Sequence, residues 1–258
     1  MSWQIQCYHG VEVYQALSLN DSGLIQGFST QNAGNLALHT GDMPEKVIER
    51  RRDFLKVFGL KLEQLVAANQ VHGTTIRKVD RQLAGAGALS FATALPETDA
   101  LITEIPGIVL SIFTADCLPV FLYDPDTPAI AVIHAGWRGT LGRIAEKTLE
   151  RMVDEYQTTP GRLRAAIGPA ICRHCFQVNQ DLADEFSKDD PLAVESDSTT
   201  ASYVDLPGFN ARLLAKAGVA PENIDLSGAC TSCQTETFFS YRAGNRTIGR
   251  MMGIISLK

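Results

Sequence analysis

Residues 107–139, GIVLSIFTADCLPVFLYDPDTPAIAVIHAGWRG, hold three apolar runs, at 108–113, 120–123 and 129–133, each bounded by Gly, Pro or Asp. Runs this short are not buried helices, and their Ile, Val and Phe content suits strands covered on both faces. They are predicted as central strands. Outward from them, residues 165–167 and 252–257 read as further strands. Over residues 140–156, Leu141, Ile144, Ala145, Leu149, Met152, Val153 and Tyr156 share one side of a helix, with charges opposite. From Asp42, read as an N-cap with Pro44 in the first turn, Val47, Ile48, Phe54, Leu55 and Phe58 keep helical spacing until Gly59. A further helix is expected over residues 210–217, closed by Gly218. Strands and helices alternate and no linker interrupts them. The expected class is therefore α/β, a single domain over residues 1–258 with a large mixed sheet flanked by helices.

The composition narrows the function. A formal charge of −6 carries no basic cluster stronger than Arg50-Arg51-Arg52, which sits on a predicted helix, so nucleic acid is not the expected partner. The first ten residues, MSWQIQCYHG, lack a basic segment followed by an apolar one, and no apolar run approaches the roughly 20 residues that span a bilayer. The expectation is a cytoplasmic protein without a membrane partner. Its six cysteines are then read as reduced thiols for metal binding, catalysis or packing.

Several of the apolar runs end in reactive groups. Cys117 precedes the second strand of the opening stretch, His134 follows the third, and His72 stands in Asn69-Gln70-Val71-His72-Gly73 after another short apolar segment. Two imidazoles and a thiolate make a metal triad of the kind that leaves a fourth zinc position open. The alternatives are hydrogen-bonded structural histidines with a small buried cysteine, or a metal-free site in which His134 activates Cys117 as nucleophile. Asp116 points away from Cys117 along an extended segment, which suits a turn cap or a support for the ligands rather than a fourth ligand. Arg138, between Gly136 and Gly139, suits a phosphate or carboxylate. Asn35 lies in AGNLALHTGD (33–42), a loop whose amides and polar side chains can border a pocket. Phe238-Phe239-Ser240-Tyr241-Arg242, followed by residues 247–250, joins rings suited to stacking on a planar base with arginines. Cys172/Cys175 and Cys230/Cys233 each have C-x-x-C spacing, yet the gap between the pairs far exceeds the roughly 15–20 residues of a compact zinc ribbon, so a four-cysteine site is the weaker reading.

Taken together, NQVHG, TDALIT, TADCLPVFLYD, HAGWRGT, IGPAI followed by Cys172, FFSYR and the later GR resemble the laccase-domain family, also called multicopper polyphenol oxidoreductase. The resemblance implies zinc held by His72, Cys117 and His134, with those residues also catalytic. It implies phosphorolysis of adenosine, inosine and methylthioadenosine, and hydrolytic deamination of adenosine. Purine nucleoside and phosphate become the expected partners, with Arg138, Asn35 and Arg242 as candidate contacts and homo-oligomer formation left open. Two departures bear on substrate choice: Cys175-Phe176-Gln177-Val178 replaces the usual Cys-Tyr-Glu-Val, and Arg242-Ala243-Gly244 the usual Arg-Arg-Asp. The alternatives are copper-dependent phenol oxidation and, from a related branch, hydrolysis of peptidoglycan precursors carrying a wrong amino acid. With five histidines and no His-x-His pair the chain lacks the imidazoles of a conventional laccase, which leaves one copper at the site of two histidines and one cysteine as the oxidase alternative.

Overall fold

A computed structural model describes residues 2–196, 201–243 and 249–258. The mixed α/β class is observed, but the strands divide between two six-stranded sheets and a small third one, where the sequence suggested one large sheet. The first sheet contains β1 (Trp3–Tyr8), β2 (Val11–Ala16), β3 (Leu24–Ser29), β4 (Leu65–Val66), β7 (Val109–Thr114) and β15 (Met251–Leu257), ordered β1-β2-β3-β15-β7-β4. The second contains β5 (Ile76–Lys78), β6 (Ala100–Thr103), β8 (Leu118–Asp124), β9 (Ala129–Ala135), β10 (Arg164–Ile167) and β14 (Ile224–Leu226), ordered β14-β10-β8-β9-β6-β5. Each is mixed: β4 runs parallel to β7, β5 to β6 and β10 to β14, while the other pairings are antiparallel. A three-stranded sheet, β11 (Gln177–Val178), β12 (Val194–Ser196) and β13 (Ser202–Val204), has β13 at its centre.

The two large sheets pack face to face, and that packing explains the unbroken apolar runs. Along β8, Phe121 and Tyr123 enter the core between the sheets, joined there by Leu110 and Ile112 of β7 and Ile255 of β15. The alternate residues Val120 and Leu122 face the other way, into a core with Ile144, Leu149 and Met152 of helix α3 (Ile144–Tyr156) and Leu214 of helix α5 (Leu206–Lys216). On the outer face of the first sheet, Val109, Phe113 and Ile254 meet Phe54 and Leu55 of helix α1 (Pro44–Lys56). Both faces of each central strand are therefore dry. No polar alternation marks which sheet a strand joins, which is why one sheet and two read alike in sequence.

Three helix boundaries differ from expectation. The N-cap of α1 is Met43, not Asp42; the Asp42 carboxylate instead accepts the Met43 amide and pairs with Arg50 at 2.5 Å. The helix expected over 140–156 is two, α2 (Trp137–Leu141) and α3, broken where Arg143 turns left-handed at φ 61°. A Cβ on Gly142 would stand 2.4 Å from Thr74 Cγ2, so this glycine lets the short helix lie against the loop that follows His72. Helix α5 starts at Leu206, ahead of the expected residue 210, because the Asp205 side chain accepts the Gly208 amide at 3.0 Å and Pro207 sits in the first turn, where its missing N–H costs no helical bond. Between β11 and β12 lies α4 (Gln180–Asp189). Among the described residues no helix is long and apolar enough to cross a membrane.

Arg51, the middle residue of the Arg50-Arg51-Arg52 cluster, is buried. Its guanidinium donates to the carbonyls of Leu36, Gly87 and Ala88 at 2.7–2.8 Å and lies over the Phe113 ring at 4.7 Å. Arg51→Lys keeps the charge but loses the planar fork, so it is expected to lower stability by about 1–2 kcal/mol. Thermal melting checks this, and an unchanged midpoint would count against the three carbonyl bonds as anchors of α1.

Candidate metal centre

The β8–β9 pairing sets Leu118 opposite Ala135 and Pro119 opposite His134. Cys117, one residue before β8, therefore meets His134 at the same end of the hairpin. His72 arrives from the loop between β4 and β5, and its ring centroid lies 4.8 Å from that of His134. One ligand atom from each of His72, Cys117 and His134 falls within a 4.8 Å cluster. The three residues chosen on sequence grounds are thus brought together. Their burial is graded, with His134 buried, Cys117 half-buried and His72 exposed, so the cluster opens to one side.

Asp99, unremarked in the sequence beyond its place in TDALIT, organises this cluster. Its carboxylate is fully buried and lies 2.8 Å from His134 Nδ1. The same carboxylate accepts the backbone amides of Val71, His72 and Gly73 at 3.2, 3.0 and 2.8 Å. Those bonds hold His72 at φ 63°, a left-handed conformation that costs a non-glycine residue about 1 kcal/mol or more. A carboxylate at Nδ1 also leaves Nε2 of His134 free as a ligand, the usual arrangement behind metal-bound imidazole. The signal in sequence was an acid placed just before a fully buried strand, β6.

Electrostatics favour the ligand form of the thiol. Burial pushes the Cys117 thiol up, but His134 and His72 outweigh it and bring it down to about 6. For His134, burial opposes the charge while the Cys117 thiolate and Asp99 lift it to about 9. A soft thiolate with two imidazoles fits zinc or copper, and the cluster has the three-ligand form of an open site. Gly136 permits the close approach: a Cβ there would sit 2.7 Å from His72 Cδ2 and 3.3 Å from Cys117 Sγ. Gly136→Ala is expected to push the His72 ring aside and weaken metal binding at the cluster about tenfold, measured by competition with a chromophoric chelator; unchanged affinity would show that the ring need not sit there.

The cluster forms the floor of a cavity of about 520 Å³, within the range of small-molecule sites. Trp137, Phe176 and Tyr241 supply aromatic walls, and His39, Arg242 and Arg250 bring polar edges. Thr114 lines the same cavity, and its buried hydroxyl has no hydrogen-bond partner among the described residues. Asp116 adopts φ 81°; its carboxylate accepts the Thr231 hydroxyl at 2.6 Å and the Arg242 amide at 2.7 Å, so it ties the Cys117 turn to two later loops.

The three candidate substrate contacts separate. Arg242 lines the cavity and donates to the carbonyls of Cys175 and Gln177. Arg138 is exposed, stacks over Trp137 at 4.2 Å and does not line the cavity. Asn35 is buried and does not line the cavity; its side-chain Oδ1 accepts the amides of Ala37 and Arg250. In the aromatic tail, Phe238 belongs to the core between the sheets, whereas Tyr241 is exposed at the cavity. Gly244 and Thr247 lie outside the described residues.

Residues 22–258 match the family described as multi-copper polyphenol oxidoreductase laccase. The chain is 32% identical over 253 residues to purine nucleoside phosphorylase YlmD of Bacillus subtilis, covering 93% of this chain and 90% of that protein. It is 34% identical over 245 residues to adenosine deaminase RL5 from an unknown prokaryotic organism, covering 93% and 92%. The crystal structure of YlmD from Geobacillus stearothermophilus superposes with a TM-score of 0.93 at 32% identity, covering 100% of this chain and 99% of the other. The chain belongs to this laccase-like family.

Proposed function

We propose that this member of the family is a zinc-dependent purine nucleoside phosphorylase that also deaminates adenosine, acting as a single catalytic domain. The observation that carries the reading is the His72–Cys117–His134 cluster, backed by Asp99, at the floor of an aromatic-walled cavity. The names of the relatives supply the substrate class. Adenosine, inosine and methylthioadenosine are the proposed phosphorolysis substrates, with phosphate as co-substrate.

His72, Cys117 and His134 would hold the ion. When bound, it supplies Lewis acidity at the cavity floor, which favours ionisation of water at neutral pH. Asp99 keeps the His134 proton on Nδ1 and fixes the His72 backbone. Tyr241, Trp137 and Phe176 offer faces on which a purine can stack, and Arg138 holds the Trp137 ring from outside. Arg242 and Arg250 bring the positive charge that an incoming phosphate requires, while Asn35 steadies the Arg250 backbone. In phosphorolysis a phosphate oxygen bonds to the anomeric carbon, the glycosidic C–N bond breaks, and the departing purine takes up a proton.

Product chromatography of adenosine with and without phosphate tests this. The expected products are adenine and ribose 1-phosphate only with phosphate, and inosine in either case. Absence of all three with zinc fully bound would reject the reading for adenosine and favour amide hydrolysis of peptidoglycan precursors. Among the described residues the groups able to hold a metal are the triad and one set of four cysteines, so no imidazole-rich cluster supports a multicopper oxidase.

A further inference from the structure

The second group consists of Cys172, Cys175, Cys230 and Cys233, whose long separation in sequence argued against a shared site. The fold removes the separation. β10 and β14 are parallel neighbours, and their pairing continues past the strand ends through Ala170 and Cys230, with the Thr231 amide donating to the Ala170 carbonyl at 3.1 Å. Both C-x-x-C segments therefore leave the same end of the second sheet, side by side. All four sulfurs lie within 4.8 Å of one another, and all four thiols are free. Cys175 Sγ and Cys233 Sγ are 3.3 Å apart, well beyond the roughly 2.05 Å of a disulfide.

Four sulfurs about 2.3 Å from one ion stand about 3.8 Å apart, so the observed cluster needs only small adjustments to become a tetrahedron. The backbone is already disposed for thiolates. The Cys172 amide donates to Cys230 Sγ at 3.3 Å, and the Cys175 amide donates to the Cys172 carbonyl at 3.1 Å, closing the first C-x-x-C turn. An amide on the Cys230 sulfur offsets part of the charge that four thiolates gather. The Arg242 guanidinium, bonded to the Cys175 carbonyl, adds a positive group beside them.

We propose that Cys172, Cys175, Cys230 and Cys233 form a second metal centre, a closed structural zinc site distinct from the His72–Cys117–His134 cluster. With four protein ligands it has no open position, so its role is to staple two loops. Those loops reach the cavity: Ile171 and Phe176 flank the first cysteine pair and line it, and Thr231, between Cys230 and Cys233, donates to Asp116 beside Cys117. The staple thus holds one wall of the cavity against the turn that carries Cys117.

Zinc content of the full chain, purified under reducing conditions without chelator or metal-affinity resin, decides the matter. Two equivalents are expected in the wild type and one in Cys117→Ala, where the four-cysteine site is intact. Its four cysteines should resist a disulfide reagent until the zinc is displaced. Cys175→Ser with Cys233→Ser should lose one equivalent from the wild-type background, but the decision does not require that variant to fold. Cys117→Ala carrying no zinc, or showing these four cysteines as reactive thiols or disulfides, would overturn the proposal. A wild type and a Cys117→Ala variant that both hold one equivalent would keep it and reject the first centre, so the two assignments fail separately.

Discussion

Cys117→Ala is expected to lower adenosine phosphorolysis and deamination by about 10³-fold or more, with the fold intact. The estimate follows from removing the anionic ligand of a three-ligand site: a bound ion contributes several kcal/mol to catalysis, and about 4 kcal/mol corresponds to 10³-fold. Two imidazoles, one of them exposed, would then have to hold the ion alone. The substitution removes little volume from a half-buried position, so melting should change far less than activity. Steady-state rates on zinc-loaded protein are the measurement. Retention of more than a tenth of the rate would show that the thiolate is not needed.

Asp99→Ala should act by a different route, with a smaller loss. The carboxylate accepts three backbone amides and faces His134 Nδ1, so its loss frees the His72 turn and leaves those amides unpaired. Removing a carboxylate behind a metal-bound histidine costs about 10–100-fold in metal affinity, and the lost bonds lower stability by about 1–3 kcal/mol. Asp99→Asn, which keeps one acceptor oxygen, should be milder in melting. Because the ligands remain, excess zinc should restore much of the activity of Asp99→Asn and none of that of Cys117→Ala. Equal rescue of both, or of neither, would contradict Asp99 as a positioning residue.

The central strands were legible because burial on both faces writes itself as continuous Ile, Val, Leu and Phe, and the triad because each ligand stands at one end of such a run. What escaped the sequence was long-range. Whether β15 pairs with β7 or β8 depends on packing between sheets, and the alternation that would reveal it is absent when both faces are apolar. Asp99 was hidden because its partners, residues 71–73 and His134, are distant in the chain. Arg51 looked like a surface charge since nothing local shows that three carbonyls from two loops surround it. The two C-x-x-C pairs looked unrelated for the same reason: β10–β14 pairing, not local spacing, brings them together. The break between α2 and α3 was masked by apolar residues that keep one helical phase across Gly142-Arg143.

The most direct test of the central claim is adenine formation from adenosine and phosphate by protein stripped of metal and then reloaded with zinc, comparing the wild type with Cys117→Ala. The predicted result is loss of activity on stripping, recovery on reloading in the wild type, and no recovery in the variant. Turnover at full rate by stripped wild-type protein, or by zinc-loaded Cys117→Ala, would contradict a reaction carried out at a metal held by His72, Cys117 and His134.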